Sequence, residues 1–345
     1  MNQSLRQIAA VPARVVAEAP ARLHLGFLDP SASLGRHFAS LGLVIDDFGT
    51  CVEVQPASVN EVDVMEAHDA GLEPRLAWML ARLQGETGAG HPLRVILHRA
   101  APAHCGLGSG TQLALALGSA FADAHGLALD GRRLAAMLGR GERSGIGIAG
   151  FARGGLLLDG GPGTDGRPAP LLARAEFPAE WRVILLMDDA LDGLHGNAER
   201  QAMANLPPFA PQRAAAMCHQ VLMKILPAVI EREFVPFAEG VSEVQREIGA
   251  YFADAQGGSM FTSPAVGGAL AWISERFAAG IGQSSWGPTG FAFVESEARA
   301  TEVLDAARAA GVVTGGLHAR ITGGRNRGGE RAFVSASAGV RPRRG

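Results

Sequence analysis

Apolar residues along the 345-residue chain recur with two periods, and the order of those periods predicts the fold. Alternating or β-branched runs at 21–25, 41–45, 51–55 and 59–65 are bounded by Pro, Gly or Asp and read as strands. Helical spacing takes over at 73–83. A strand at 93–97 then runs into Ala100-Ala101-Pro102, and an Ala- and Leu-rich helix over 109–125 is stopped by Gly126. After a stretch dense in Gly and Pro at 160–170, a strand at 181–187 precedes helices at 212–232, 236–253 and 264–279. Ser263 is placed to cap the last of these, with Pro264 at its first position. A strand at 290–294, a helix at 297–310 and strands at 315–321 and 332–335 complete the pattern, before a short basic tail at 341–344. This is α+β in two lobes, with the boundary in the Gly/Pro stretch: residues 1–165 and 166–345.

With 47% apolar and 19% charged residues the chain is an ordinary globular protein rather than a disordered one. A formal charge of −3 gives no long-range attraction to nucleic acid or an anionic membrane, so any phosphate must be held by local arginines and backbone N–H groups. Cys51, Cys105 and Cys218 are odd in number and far apart, which fits neither a disulfide framework nor a CxxC zinc set. The first twenty residues lack a signal-peptide core, and no later run approaches about 18 apolar residues, so the expectation is a cytoplasmic protein without a membrane partner. Lys224 is the one lysine and follows no glycine loop. That argues against a Walker-type phosphate loop and against pyridoxal phosphate chemistry, each of which needs a lysine at its site.

Three loops carry candidate chemistry. Pro102-Ala103-His104-Cys105-Gly106-Leu107-Gly108-Ser109-Gly110-Thr111-Gln112 lies between a strand and a long helix. There glycines let backbone amides approach a phosphate, and a helix N-terminus supplies unpaired N–H groups. Ser109 and Thr111 add hydroxyls that donate to an anion or hold a metal-bound water. Gly282-Gln283-Ser284-Ser285-Trp286-Gly287-Pro288-Thr289-Gly290 sets polar side chains beside an aromatic that can stack on a planar ring. Arg140-Gly141-Glu142-Arg143-Ser144-Gly145-Ile146-Gly147 is basic and flexible. The run Val183-Ile184-Leu185-Leu186-Met187-Asp188-Asp189 ends in acids as the ribose-binding loop of type I phosphoribosyltransferases does. It lacks that loop's phosphate turn, and the likeness is read as accidental.

Together these segments resemble the GHMP-kinase superfamily, whose second motif begins P-x-x-x-G-L-G-S-S; the stretch Pro102 to Gly110 matches it and departs only at Gly110. Its first motif is matched loosely by Ala19-Pro20-Ala21-Arg22-Leu23-His24-Leu25-Gly26, and its third by the loop from Gly282 to Gly290. The resemblance implies an N-terminal lobe like the second domain of ribosomal protein S5, a ferredoxin-like C-terminal lobe, and an active site between them. Many kinases of that superfamily carry a catalytic aspartate after Ser-Gly-x. Here Ser144-Gly145-Ile146 is followed by Gly147, and Ala135, Ala136 and Met137 stand where such kinases often present a metal-binding glutamate. Without those carboxylates phosphoryl transfer loses part of its machinery, so an inherited scaffold with altered chemistry is expected.

A narrower resemblance accounts for the change. Arg22-Leu23-His24-Leu25-Gly26-Phe27-Leu28-Asp29, Gly35-Arg36, the Arg140 to Gly147 segment and Gln283-Ser284-Ser285-Trp286-Gly287 look like the β-ribofuranosylaminobenzene 5′-phosphate synthase branch of methanopterin biosynthesis. That likeness implies condensation of phosphoribosyl pyrophosphate with 4-aminobenzoate or a hydroxy analogue, loss of pyrophosphate and carbon dioxide, dependence on Mg2+, and a homodimer. It makes Arg22, His24 and Arg36 candidates for the substrate carboxylate or 5′-phosphate, Arg140 and Arg143 further phosphate ligands, and Asp29 and Asp159 groups that orient an arginine or reach magnesium through water. Competing readings are an ATP-dependent small-molecule kinase and a non-catalytic ligand- or RNA-binding relative. The last is disfavoured by the absence of basic, aromatic-rich strands.

Overall fold

The computed structural model describes residues 14–65, 69–163, 166–191, 193 and 196–334. In chain order, β1 (Val15–Ala19), β2 (Arg22–Asp29), β3 (Phe38–Val44), β4 (Thr50–Pro56) and β5 (Glu61–Val64) precede α1 (Leu72–Thr87). Then β6 (Leu93–Arg99) feeds α2 (Ser109–Ala124), and α3 (Gly131–Met137) and α4 (Ile146–Arg153) lead to β7 (Leu156–Asp159) and β8 (Leu171–Ala175). The second half runs β9 (Arg182–Asp188), α5 (Gly196–Asn205), α6 (Pro211–Gln220), α7 (Leu226–Glu231), α8 (Phe234–Phe252), α9 (Pro264–Arg276), β10 (Gly280–Gln283), β11 (Gly290–Val294), α10 (Glu297–Ala309), β12 (Leu317–Gly323) and β13 (Glu330–Phe333).

These strands form three sheets. One runs β13-β1-β4-β6-β5, one β2-β3-β7-β8 and one β10-β11-β9-β12. Helices α1 and α2 cover the first sheet, where Leu76, Leu80, Leu113 and Leu117 meet Val52, Val54 and Val95. On the third sheet, alternation along β9 sends Ile184 and Leu186 to α9 and α10 and sends Val183 and Leu185 to the opposite face. That opposite face, α8 and the β2-β3-β7 face share one core built on Leu23, Leu41, Phe237 and Phe293, which fixes β2 next to the second half of the chain.

Two expectations about organisation change. The Gly/Pro stretch 160–170 joins β7 to its antiparallel neighbour β8, so the chain passes to the third sheet only after Ala175. The strand expected at 332–335 is described as Glu330–Phe333 and pairs with β1, returning the chain end to the first sheet; Ser335 and the tail 341–344 lie outside the described residues. The helix expected over 212–232 is continuous, but Pro227 lacks the N–H that bonds back four residues, and the chain ahead of it widens into a π turn at Val221–Ile225. By length and composition the 21-residue run Pro211–Glu231 is apolar enough to cross a membrane, with a mean hydropathy of 1.3 over its most apolar 18 residues, yet Met217, Val221 and Ile225 belong to the shared core.

Candidate active site

The glycine loop sits where β6 hands over to α2. Gly106 and Gly108 have φ of 79° and 81°, the left-handed region that glycine adopts without strain. Gly108 is the N-cap of α2 and no side chain caps it, which leaves first-turn N–H groups available to an anion. Arg22 on β2 braces this turn. Its Nη1 donates to the Gly106 carbonyl at 2.6 Å, and its guanidinium lies so close under Gly108 that a Cβ there would stand 3.0 Å from Cζ. Burial pulls the Arg22 pKa down to about 10, which keeps it a cation at neutral pH.

The two glycine loops meet backbone to backbone. A Cβ on Gly106 would fall 2.0 Å from the Ser284 carbonyl oxygen, and one on Gly287 2.3 Å from the Cys105 carbonyl carbon. Ser284, fully buried, ties the wall together: its hydroxyl donates to Gly106 O at 2.7 Å and accepts the His24 N–H at 3.0 Å, while Ser285 N–H donates to His24 O. β2, the Gly106 loop and the Gly282–Gly290 loop are therefore held together.

A polar cleft of about 380 Å³ opens between them. Arg22, His24, Gly106 and Thr111 form one side; Arg140, Arg143 and Ser144 another; Ser285, Trp286 and Gly287 a third. Beside it an opening of about 500 Å³ is lined by Arg75, Gly108, Ser109 and Gly110 as well as Arg140. Arg75 and Arg140 converge on Gly110, whose missing Cβ would lie 2.7 Å from an Arg75 Nη and 3.4 Å from Arg140 Nη1. Burial, and for Arg140 also the charge of Arg75, lowers the pKa of both. Arg140 Nε is buried with no hydrogen-bond partner among the described residues. Arg143 is instead neutralised, donating to Glu199 Oε1 at 2.7 Å.

Other candidates take structural roles. Asp29 spends its carboxylate on its own turn, accepting from Ser31 N–H, Ser33 N–H and the Ser33 hydroxyl, and does not line the cleft. The exposed Arg36 reaches the Gly161 carbonyl outside it. Asp159, fully buried, organises the Arg140–Ser144 side of the cleft by accepting from Ser40, Gly145 and Gly161 N–H and from the Ser144 hydroxyl. Leu107 is a core residue, and Gln283 bonds Thr262, Gln256 and Ser285 behind the wall. Asp188 accepts from Ser263 and Ala190, as a turn former does. His24 is 3% exposed and held neutral, its pKa pushed down to about 3 by burial first and then by Arg22 and Arg143, so it makes no ion pair with a carboxylate or phosphate. Trp286 is not a surface residue but packs its ring 4.5 Å from Phe252.

Sequence reasoning missed Arg75, because an arginine at one position of an amphipathic helix reads as solvated. Gly110 held a local signal, as the departure from the superfamily pattern within the stretch Pro102 to Gly110. Glu199 lies in the first turn of α5, where an acid is favoured by the helix dipole alone, and its pairing with Arg143 crosses 56 positions of sequence.

Comparison with known proteins agrees with this geometry. Residues 75–155 match the GHMP kinases N terminal domain and 226–313 the GHMP kinases C terminal model. Among solved structures, mevalonate diphosphate decarboxylase from Enterococcus faecalis superposes with a TM-score of 0.66 at 16% identity over 93% of this chain and 99% of that one. Mevalonate-3-kinase from Thermoplasma acidophilum superposes with a TM-score of 0.64 at 12% identity over 93% and 99%. These define the GHMP kinase fold. The beta-ribofuranosylphenol 5'-phosphate synthase of Archaeoglobus fulgidus is 34% identical over 82% of this chain and 88% of its own length, and that of Methanothermobacter thermautotrophicus 27% over 91% and 97%. The chain belongs to the beta-ribofuranosylphenol 5'-phosphate synthase family and is an enzyme. The relatives' names carry a phenol where the sequence resemblance pointed to an aminobenzene.

Proposed function

We propose that this enzyme condenses phosphoribosyl pyrophosphate with a para-substituted benzoate, releasing pyrophosphate and carbon dioxide. The observation that supports it most is the Arg75–Arg140 pair beside the uncapped start of α2: two half-buried cations crowd each other next to open N–H groups, an arrangement that an oligophosphate anion relieves. The relatives' phenol favours 4-hydroxybenzoate over 4-aminobenzoate as acceptor.

Ionisation of the ribose C1–oxygen bond leaves its electron pair on pyrophosphate, where arginines and amides stabilise the charge. The ring carbon bearing the carboxylate, para to the electron-rich substituent, gives its electron pair to C1. The C–CO2 bond then breaks, its electrons restore the aromatic ring, and carbon dioxide departs. No lysine and no strong base are needed. A closed cleft matters because water would capture the sugar cation.

Among the described residues no group of three or more His, Cys, Asp or Glu is gathered to hold a metal. Glu142 and Glu199 line the cleft, and two carboxylates fit magnesium arriving on the diphosphate, an ion that keeps phosphate oxygens and water as its other ligands. The ion would neutralise charge on the leaving group. The reading includes a cytoplasmic homodimer acting on small molecules, as the sequence resemblance implies.

The test is release of labelled carbon dioxide from carboxyl-labelled 4-hydroxybenzoate and, separately, 4-aminobenzoate, in the presence of magnesium and phosphoribosyl pyrophosphate. ATP-dependent phosphorylation of a small alcohol without such release overturns the proposal.

A further inference from the structure

Next to the cleft, and sharing His24, Phe27, Ser285 and Trp286 with it, lies a recess of about 30 Å³, room for a water-sized group and not for a ring. Ile248 and Phe252 make part of it apolar. Its glutamines are already engaged. Gln245 donates to Leu25 O and accepts from Gln283 N–H; Gln283 Nε2 donates to Gln256 Oε1, which also accepts the Thr262 hydroxyl.

Two donors remain. Gly26 N–H donates to His24 Nδ1 at 3.3 Å, which makes Nδ1 the acceptor of the neutral imidazole and puts the proton on Nε2. Neither His24 Nε2 nor Trp286 Nε1 has a hydrogen-bond partner among the described residues, although these side chains are 3% and 4% exposed. Buried N–H groups left unpaired are costly, and where the protein provides no acceptor such groups take one from water or a ligand.

We propose that His24 Nε2–H and Trp286 Nε1–H together bind the para oxygen of the acceptor ring, seated in this recess while the carboxyl end of the ring faces the arginines. The proposal rests on the function inferred above. There the reacting carbon must face ribose C1 in the phosphate cleft, so the group para to it points away from the arginines, towards the recess. Two donors suit an oxygen, best of all a phenolate. An amino group would set its own N–H bonds against them, with a nitrogen lone pair drawn into the ring. The phenol proton leaves to solvent on binding, and the phenolate pushes electron density onto the carbon that attacks. His24 already carries its proton on Nε2, and its Nδ1 accepts from Gly26 N–H, so no free site on the ring faces that proton.

Trp286→Phe keeps an aromatic ring and removes one donor; His24→Phe removes the other, and His24→Gln restores an N–H. The expected result is that kcat/KM for 4-hydroxybenzoate relative to that for 4-aminobenzoate falls about tenfold with each donor lost, as for hydrogen bonds to a charged group, and recovers in part in His24→Gln. Ultraviolet difference spectra of bound 4-hydroxybenzoate, taken without the phosphoribosyl substrate, should show phenolate at neutral pH in the wild type and less of it in Trp286→Phe. An unchanged acceptor ratio in both variants, or 4-hydroxybenzoate bound as the neutral phenol, overturns the donor pair and leaves the synthase reading intact. Phenolate binding by a wild-type protein that releases no carbon dioxide from either benzoate supports the donor pair while the synthase reading fails.

Discussion

Gly110→Ala separates anion binding from folding at one position. The new Cβ would lie 2.7 Å from Arg75 Nη2, where ordinary contact begins near 3.4 Å, so the Arg75 head must withdraw by roughly 0.7 Å or more. Arg140, at 3.4 Å from the same point, stays in place. A charge-assisted hydrogen bond to phosphate is worth about 1.5–3 kcal/mol, so losing the Arg75 contact weakens phosphoribosyl pyrophosphate binding by about 10- to 100-fold. Stability moves the other way. Gly110 is in the first turn of α2, and alanine is favoured over glycine in a helix by up to about 1 kcal/mol. Calorimetric titration with phosphoribosyl pyrophosphate, set beside urea unfolding of the same variant, reads both quantities. A variant with unchanged affinity and unchanged or raised stability would show that the arginine pair does not grip the substrate.

Three further outcomes follow from the same geometry. The folded His24 pKa of about 3 lies below the unfolded value near 6.5, so its contribution to stability is full above that value and is lost as pH falls towards 3, with about 2 kcal/mol gone by pH 5. Urea unfolding at pH 8 and pH 5 should show this pH penalty in the wild type and a smaller one in His24→Gln, and equal penalties would contradict it. Ser284→Ala leaves the His24 N–H without its acceptor and is expected to cost about 1–3 kcal/mol in denaturant unfolding, with a looser cleft read as a higher KM for the phosphoribosyl substrate. Glu199→Gln should raise the magnesium concentration for half-maximal activity about tenfold if that carboxylate reaches the ion; an unchanged magnesium curve directs attention to Glu142.

The glycine loop was legible because everything that makes it is local: a strand, two left-handed glycines and a helix start occupy one short stretch of sequence. The same holds for β11 and for the capped start of α9, where Ser263 accepts from Val266 N–H as its sequence position implied. Short strands were not legible. The Gly-Ile-Gly-Gln of β10 and the Leu-Leu-Ala-Arg-Ala of β8 carry no alternation of their own and are strands because β11 and β7 supply their partners. In the site, the errors concern where a side chain spends its hydrogen bonds. Nothing local tells that the Asp29 carboxylate turns back onto Ser31 and Ser33, or that the His24 imidazole is buried with Nε2 unpaired.

The two glycines that depart from the kinase pattern make a single argument about chemistry. Gly110 gives its space to the Arg75 guanidinium, adding positive charge where the diphosphate is expected. Gly147 gives its space to the packing of α4 on α2: a Cβ there would stand 3.0 Å from Thr111 Cγ2 and 3.6 Å from Gln112 Nε2, whose amide already donates to the Gly147 carbonyl. A carboxylate at 147 would have to displace that contact. The first raises the capacity of the cleft to hold negative charge, the second leaves it without a proton acceptor at that place, and His24, whose pKa is pushed down to about 3, adds no strong base to compensate. A kinase needs its acceptor hydroxyl aimed and relieved of a proton, whereas departure of pyrophosphate from a sugar carbon needs only that the leaving charge be held and water be kept away. The arrangement of glycine and arginine around α2 serves the second demand at the expense of the first.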